Sequence, residues 1–142
     1  MNSMLKHNIL EGNFKIANDI SKKMSLNDLE NELLEIAFET DNISIYFFIL
    51  DLLNEDANAE LHEMASTILS TAYSHVVGSY NLALNHMRKA MYLDPHDITY
   101  KEGMLFFYNI PEQLITKAQA IELAKEIIKI NPENERAKEI LQ

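Results

Sequence analysis

Three glycines and three prolines are all the chain has to break its backbone over 142 residues. With so few turn formers there is little room for hairpins, long loops or a phosphate-cradling turn. Apolar residues instead recur at helical spacing almost throughout, and the breaks between periodic segments are short. Helix ends read at Gly12, near Ser25, at Asp41-Asn42, near Asp56, at Gly78, at Asp94-Pro95, across Asn109 to Ile115, and at Asn131-Pro132. Ser25 with Asp28 and Thr116 with Gln119 have the spacing that satisfies orphan N–H groups at a helix start. Asp94-Pro95 and Asn131-Pro132 read as a cap followed by a proline in the first helical position. The expectation is about nine helices, one of them long, from about residue 57 to 77. The run "ISIYFFILDLL" (43–53) is rich in β-forming residues but lies between helical partners, and is read as a buried helix.

The length suits one domain with a substantial core. An apolar fraction of 47% with 24% charged residues is that of an ordinary globular chain. There is no cysteine, which excludes disulfides, thiolate metal sites and cysteine nucleophiles. The opening "MNSMLKHNILEGNFK" builds no apolar signal core, and the apolar run from Ile45 to Leu50 is too short to cross a bilayer. The expected location is the cytoplasm.

Charge is distributed unevenly. Residues 1–71 carry 13 acidic and 4 basic side chains, net −9; residues 72–142 carry 9 and 8, net −1. No Lys or Arg occurs between Lys23 and Arg88. Such a surface repels phosphate, so no nucleic acid and no anionic membrane is expected as a partner, and a basic protein is the electrostatic match.

The chain also repeats itself. Gly78-x-Tyr80-x-x-Ala83-x-x-x-Met87-x-x-Ala90-x-x-x-x-Pro95 is followed 37 residues on by Ala120-x-x-x-Ala124-x-x-Ile127-x-x-x-x-Pro132, and Gly12-x-Phe14-x-x-Ala17 echoes the opening. Small residues let antiparallel helices approach closely, and stacked pairs bury faces that one pair cannot. This pattern resembles the second helix of the tetratricopeptide repeat, well over 78–97 and fairly over 116–134. Thr67, Ser70, Thr71 and Ser74 depart from that family's first helix, and Ala17, Ile45, Ala83 and Ala120 stand 28, 38 and 37 residues apart against its period of 34. The resemblance implies an all-α fold of antiparallel helix hairpins stacked as a short, irregular tetratricopeptide-like solenoid. It would form a single domain over 1–142, with degenerate repeats over 1–56, clearer ones over 57–132 and a capping helix over 133–142. Ile140 and Leu141 would turn inward there, and Met1, Met4, Leu5 and Ile9 would pack internally or against a second copy.

Chemistry-bearing motifs are missing. "HEMAS" (62–66) resembles a zinc-protease pattern, but Ser66 stands where the second histidine belongs, so His62 reads as a solvated helix residue. His7, His75, His86 and His96 have no i, i+4 pairing. No nucleophile elbow or calcium loop occurs. Neither metal nor cofactor is expected, and the chain reads as a non-enzyme.

The most specific surface feature is acidic. Asp28, Glu32, Glu35 and Glu39 fall within about 60° of arc on one helix, with no Lys beside them to relieve the repulsion. Leu26, Leu29, Leu33, Ile36 and Ala37 form the opposing apolar stripe, widened by Leu34 and Phe38. The family resemblance adds a concave surface lined by the first helix of each pair. By position it nominates Ala72, His75 and Val76 on one helix, and Thr99, Glu102, Phe106 and Asn109 on the next. Phe106 would be the apolar anchor and Glu102 the selecting charge. Family members that clamp a peptide carboxylate use basic residues there, and this chain has none over 24–87. The expected function is a protein-interaction module that binds a basic or amphipathic protein segment through Asp28, Glu32, Glu35, Glu39, His75, Glu102, Phe106 and Asn109. An immunity protein or antitoxin-type inhibitor of a basic toxin is the alternative, and an enzyme or metal-dependent protein without a recognisable motif is a second.

Overall fold

A computed structural model describes residues 2–142; Met1, one of the four N-terminal apolar residues singled out above, lies outside them. The described residues form nine α-helices and no strand: α1 Ser3–Leu10, α2 Phe14–Ser21, α3 Leu26–Thr40, α4 Ser44–Glu55, α5 Ala59–Ser70, α6 Ser79–Leu93, α7 Ile98–Asn109, α8 Lys117–Ile130 and α9 Glu135–Leu141. The β-rich run is a helix because Ile45, Phe48, Ile49, Leu52 and Leu53 recur on one face and are all buried.

Several boundaries follow from local chemistry that the sequence displays. Ser25 Oγ accepts the Asp28 N–H, and Thr116 and Gln119 form a reciprocal capping box. Gly12 and Gly78 sit at φ +76° and +84°, a region that side chains with a Cβ avoid.

Other boundaries move. The long helix expected over 57–77 ends at Ser70, and residues 71–78 form a turn. Hydroxyls bond at the break: Ser70 Oγ donates to Ser66 O and Thr71 Oγ1 to Thr67 O, while the Tyr73 hydroxyl donates to Asn42 O at 2.5 Å. That last bond ties the turn to the α3–α4 junction. Pro95 and Pro132 do not occupy first helical positions either. Asp97 caps α7 by accepting the Thr99 N–H, and Asn134 caps α9 by accepting the Ala137 N–H. A side-chain acceptor two residues past each proline takes over the start of the helix.

Packing is mainly between chain neighbours. α5 and α6 form the most extensive pair; α6 rests on α7, α7 on α8, and α8 on α9. At the other end α1 packs on α2 and α4, and α3 on α4 and α5. Ala17, Ala83, Ala90, Ala120 and Ala124 are fully buried at these contacts. A Cβ on Gly103 would lie 2.6 Å from Met87 Sδ, so α7 approaches α6 closely at that point. Leu5 and Ile9 join the core, whereas Met4 is exposed. In α9 the inward residue is Ala137, with Ile140 half-buried and Leu141 exposed rather than turned in.

Candidate functional site

The acidic stripe on α3 is less isolated than its sequence implies. Lys6 Nζ on α1 lies 2.9 Å from Glu39 Oε1, and the Asn2 N–H donates to Glu32 Oε2 at 2.8 Å. The relief absent within the helix comes from the chain's own first segment, 30 to 33 residues away, so the reading of four unrelieved charges is corrected. Asp28 and Glu35 stay exposed. Phe38, expected on the apolar side, is also exposed.

The residues nominated by the repeat pattern divide. Ala72, His75 and Val76 lie in the 71–78 turn and not on a helix, because α5 has already ended. His75 Nε2 stands 3.1 Å from Asp41 Oδ1 at the α3–α4 junction. Thr99, Glu102, Phe106 and Asn109 are on α7; Thr99 and Asn109 are exposed and Glu102 half-buried. The Phe106 ring packs on Tyr80 and on Phe107, with centroids 6.1 and 5.1 Å apart, and one edge faces solvent. Phe38, Ile43, Val76 and Phe106 are exposed apolar side chains. Val77 is 100% exposed. The structure thus brings His75 to the end of the acidic stripe, keeps Phe106 within α7, and leaves Asp28 at the far end of α3.

That far end holds a cluster that the sequence reading missed. Glu30 on α3 and Glu60 and Glu63 on α5 line a cleft of about 180 Å³. Glu60 also lines an adjoining cleft of about 350 Å³ with Asp94 and Tyr100. Burial raises the pKa of Glu63, and the carboxylates of Glu30, Asp97 and Glu60 raise it further. Glu30 is raised by burial alone. The Tyr100 phenol is pushed up to about 12, first by burial and then by Glu63, Asp97, Glu60 and Asp94. Among the described residues, no ammonium or guanidinium offsets the carboxylates at either Glu63 or Tyr100. The nearest cation in sequence, Lys101, is buried and donates instead to Pro95 O. One signal for this cluster was present. Glu60 and Asp94, and likewise Glu63 and Asp97, stand 34 residues apart. The repeat pattern rests on small residues, and this recurrence of acids is not part of it.

A third group lies inside. His62 and His86, 7% and 6% exposed, face each other with Nδ1 atoms 2.9 Å apart, and the Tyr46 hydroxyl is 2.8 Å from His86 Nε2. His62 is therefore a core residue and not a solvated one. A Nδ1–Nδ1 hydrogen bond needs one donor and one acceptor, so double protonation breaks it. His86 is held down to about 4 by burial, then by His62 and Lys89; His62 is lowered by burial and by Lys89. Both rings are neutral at pH 7. Between α6, α7 and α8 lies a further groove of about 350 Å³, lined mainly by Met91, Tyr92, Met104, Ile115 and Leu123, with Arg88 and Glu122 also lining it.

Among the described residues no three His, Cys, Asp or Glu side chains converge on a point where a metal ion would sit. No helix among them is long and apolar enough to cross a membrane. Compared with known proteins, the chain matches no family model, no curated protein and no solved structure.

Proposed function

We propose that the protein is an interaction module of tetratricopeptide-like, solenoid type, working in the cytoplasm, that binds a basic or amphipathic protein segment. One observation carries this reading: Glu30 on α3, Glu60 and Glu63 on α5 and Asp97 at the start of α7 come together, and among the described residues no cation offsets them at Glu63. Like charges gathered on one side are destabilising in the free protein, and become favourable when a cationic surface arrives. The exposed apolar side chains of Phe38, Val76, Val77 and Phe106 supply the other half of an amphipathic match.

A narrower version is an inhibitor, of the immunity or antitoxin kind, that masks a basic toxin. The lopsided charge favours it, with net −9 in the first half of the chain, because acidic inhibitors capture cationic enzymes quickly. The test is to capture a partner from the native cell and measure its association rate at about 50 and about 500 mM salt. The rate is expected to fall steeply with salt, and to fall again in Glu35→Lys and Glu60→Lys, both exposed positions. Equal rates at both salt concentrations and in both variants would overturn the reading. One tight partner that is itself a basic toxin would select the inhibitor version.

A further inference from the structure

The acidic cleft at the start of α5 and α7 differs from a solvated acidic surface in one respect. Tyr100 is 4% exposed, yet its hydroxyl has no hydrogen-bond partner among the described residues. No buried side-chain oxygen there is left unpaired, so the hydroxyl end of the ring must open onto the cleft that Tyr100 lines with Glu60 and Asp94. A tyrosine buried to its tip, with a free hydroxyl at the floor of an acidic cleft, is an acceptor and donor held ready for something that enters.

The geometry also selects the visitor. The carboxylates are distributed over two adjoining clefts that share Glu60, and they do not converge as ligands of a single small ion would. A planar guanidinium carries five N–H donors in a fixed fork, can reach several carboxylates at once, and is shed of water more easily than an ammonium. We propose that this cleft, floored by the Tyr100 hydroxyl and walled by Glu60 and Asp94, with Glu63 in the adjoining cleft and Asp97 at the start of α7 beside it, binds the guanidinium of an arginine side chain presented by a protein partner. The proposal rests on the reading that the partner is basic, and adds the place and the residue type it uses.

Glu63 is the diagnostic residue. Its carboxylate is half-buried and faces Glu30, Glu60 and Asp97, so its charge costs the free protein stability at pH 7. A site kept for binding should therefore become more stable and less competent when that charge is removed.

The experiment titrates the intact, isotope-labelled protein with N-acetyl-arginine amide, N-acetyl-lysine amide and the neutral isostere N-acetyl-citrulline amide, following backbone amides by NMR. Arginine should shift the amides of Glu60, Glu63, Asp97 and Tyr100 at the lowest concentration, lysine should need more, and citrulline should shift none of them. Glu63→Gln should weaken arginine binding about tenfold while raising the thermal midpoint. Tyr100→Phe, which keeps the ring, should weaken binding severalfold and leave the other amides in place. Shifts spread over the whole acidic surface, or equal for arginine and citrulline, would overturn the proposal. So would calcium shifting the same amides at lower concentration than arginine. A basic amphipathic peptide that binds in a salt-dependent manner, indifferent to Glu63→Gln, would overturn this cleft alone and leave the general function standing. A protein that binds neither the peptide nor arginine would remove both.

Discussion

Residue by residue, the side chains that matter most are those whose partners lie far away in sequence. The His62–His86 pair is the clearest case. Both pKa values are lowered on folding, so the folded protein binds fewer protons than the unfolded one, and stability is lost as pH falls. The loss should begin near the ordinary histidine value of about 6.5 and continue down to about 4, where His86 titrates. Glu30 and Glu63 act in the opposite sense, since their raised pKa values make the folded state the better proton binder above the ordinary carboxylate value. Thermal midpoints measured between pH 7 and 4 should therefore fall in the wild type, and fall much less in a His62→Leu/His86→Leu variant. Parallel curves for the two proteins would mean that the pair does not titrate as described. None of this was legible beforehand: "HEMAS" shows His62 as one histidine on a helix, and the ring that buries it is 24 residues away.

Helices and turns were more legible, because their signals are local. The capping box of Thr116 and Gln119 and the left-handed glycines depend on residues within one turn of each other. Gly78→Ala should cost about 1–2 kcal/mol for placing a Cβ at φ +84°, visible as a thermal midpoint lowered by several degrees. The end of α5 is the instructive exception. Periodicity continues past Ser70, but the hydroxyls of Ser70 and Thr71 bond back to the helix, and Tyr73 is held by Asn42, 31 residues upstream. Tyr73→Phe should cost about 1 kcal/mol and loosen the 71–78 turn, which faster amide exchange there would report. Unchanged exchange would show that the turn holds itself. This turn carries His75, so its position on the surface depends on that distant bond.

For the molecule as a whole, packing between chain neighbours implies graded stability. α5 and α6 bury Leu61, Met64, Ala65, Ile68, Leu69, Ala83, Leu84 and Met87 and touch further helices on either side. α1 and α2 have only eight residues each. Native-state hydrogen exchange should find the α5–α6 hairpin the most protected segment and α1–α2 the first to open. Uniform protection would instead indicate one cooperative unit. Because Lys6 on α1 faces Glu39, and the Asn2 amide faces Glu32, opening of that segment would expose more of the acidic stripe.

The amino-acid sequence alone determined the helical class, most of the boundaries, the small residues at helix contacts and the acidic sense of the surface. Each depends on spacing within a few residues, or on a count that no folding can alter. Tertiary structure decided which charges answer one another. It set Lys6 against Glu39, enclosed His62 with His86, and brought Glu60 and Glu63 of α5 to Tyr100. Those pairings join residues 24 to 40 positions apart, and no helical period specifies them. Electrostatic energy depends on distance and burial, and both are fixed only when the helices pack.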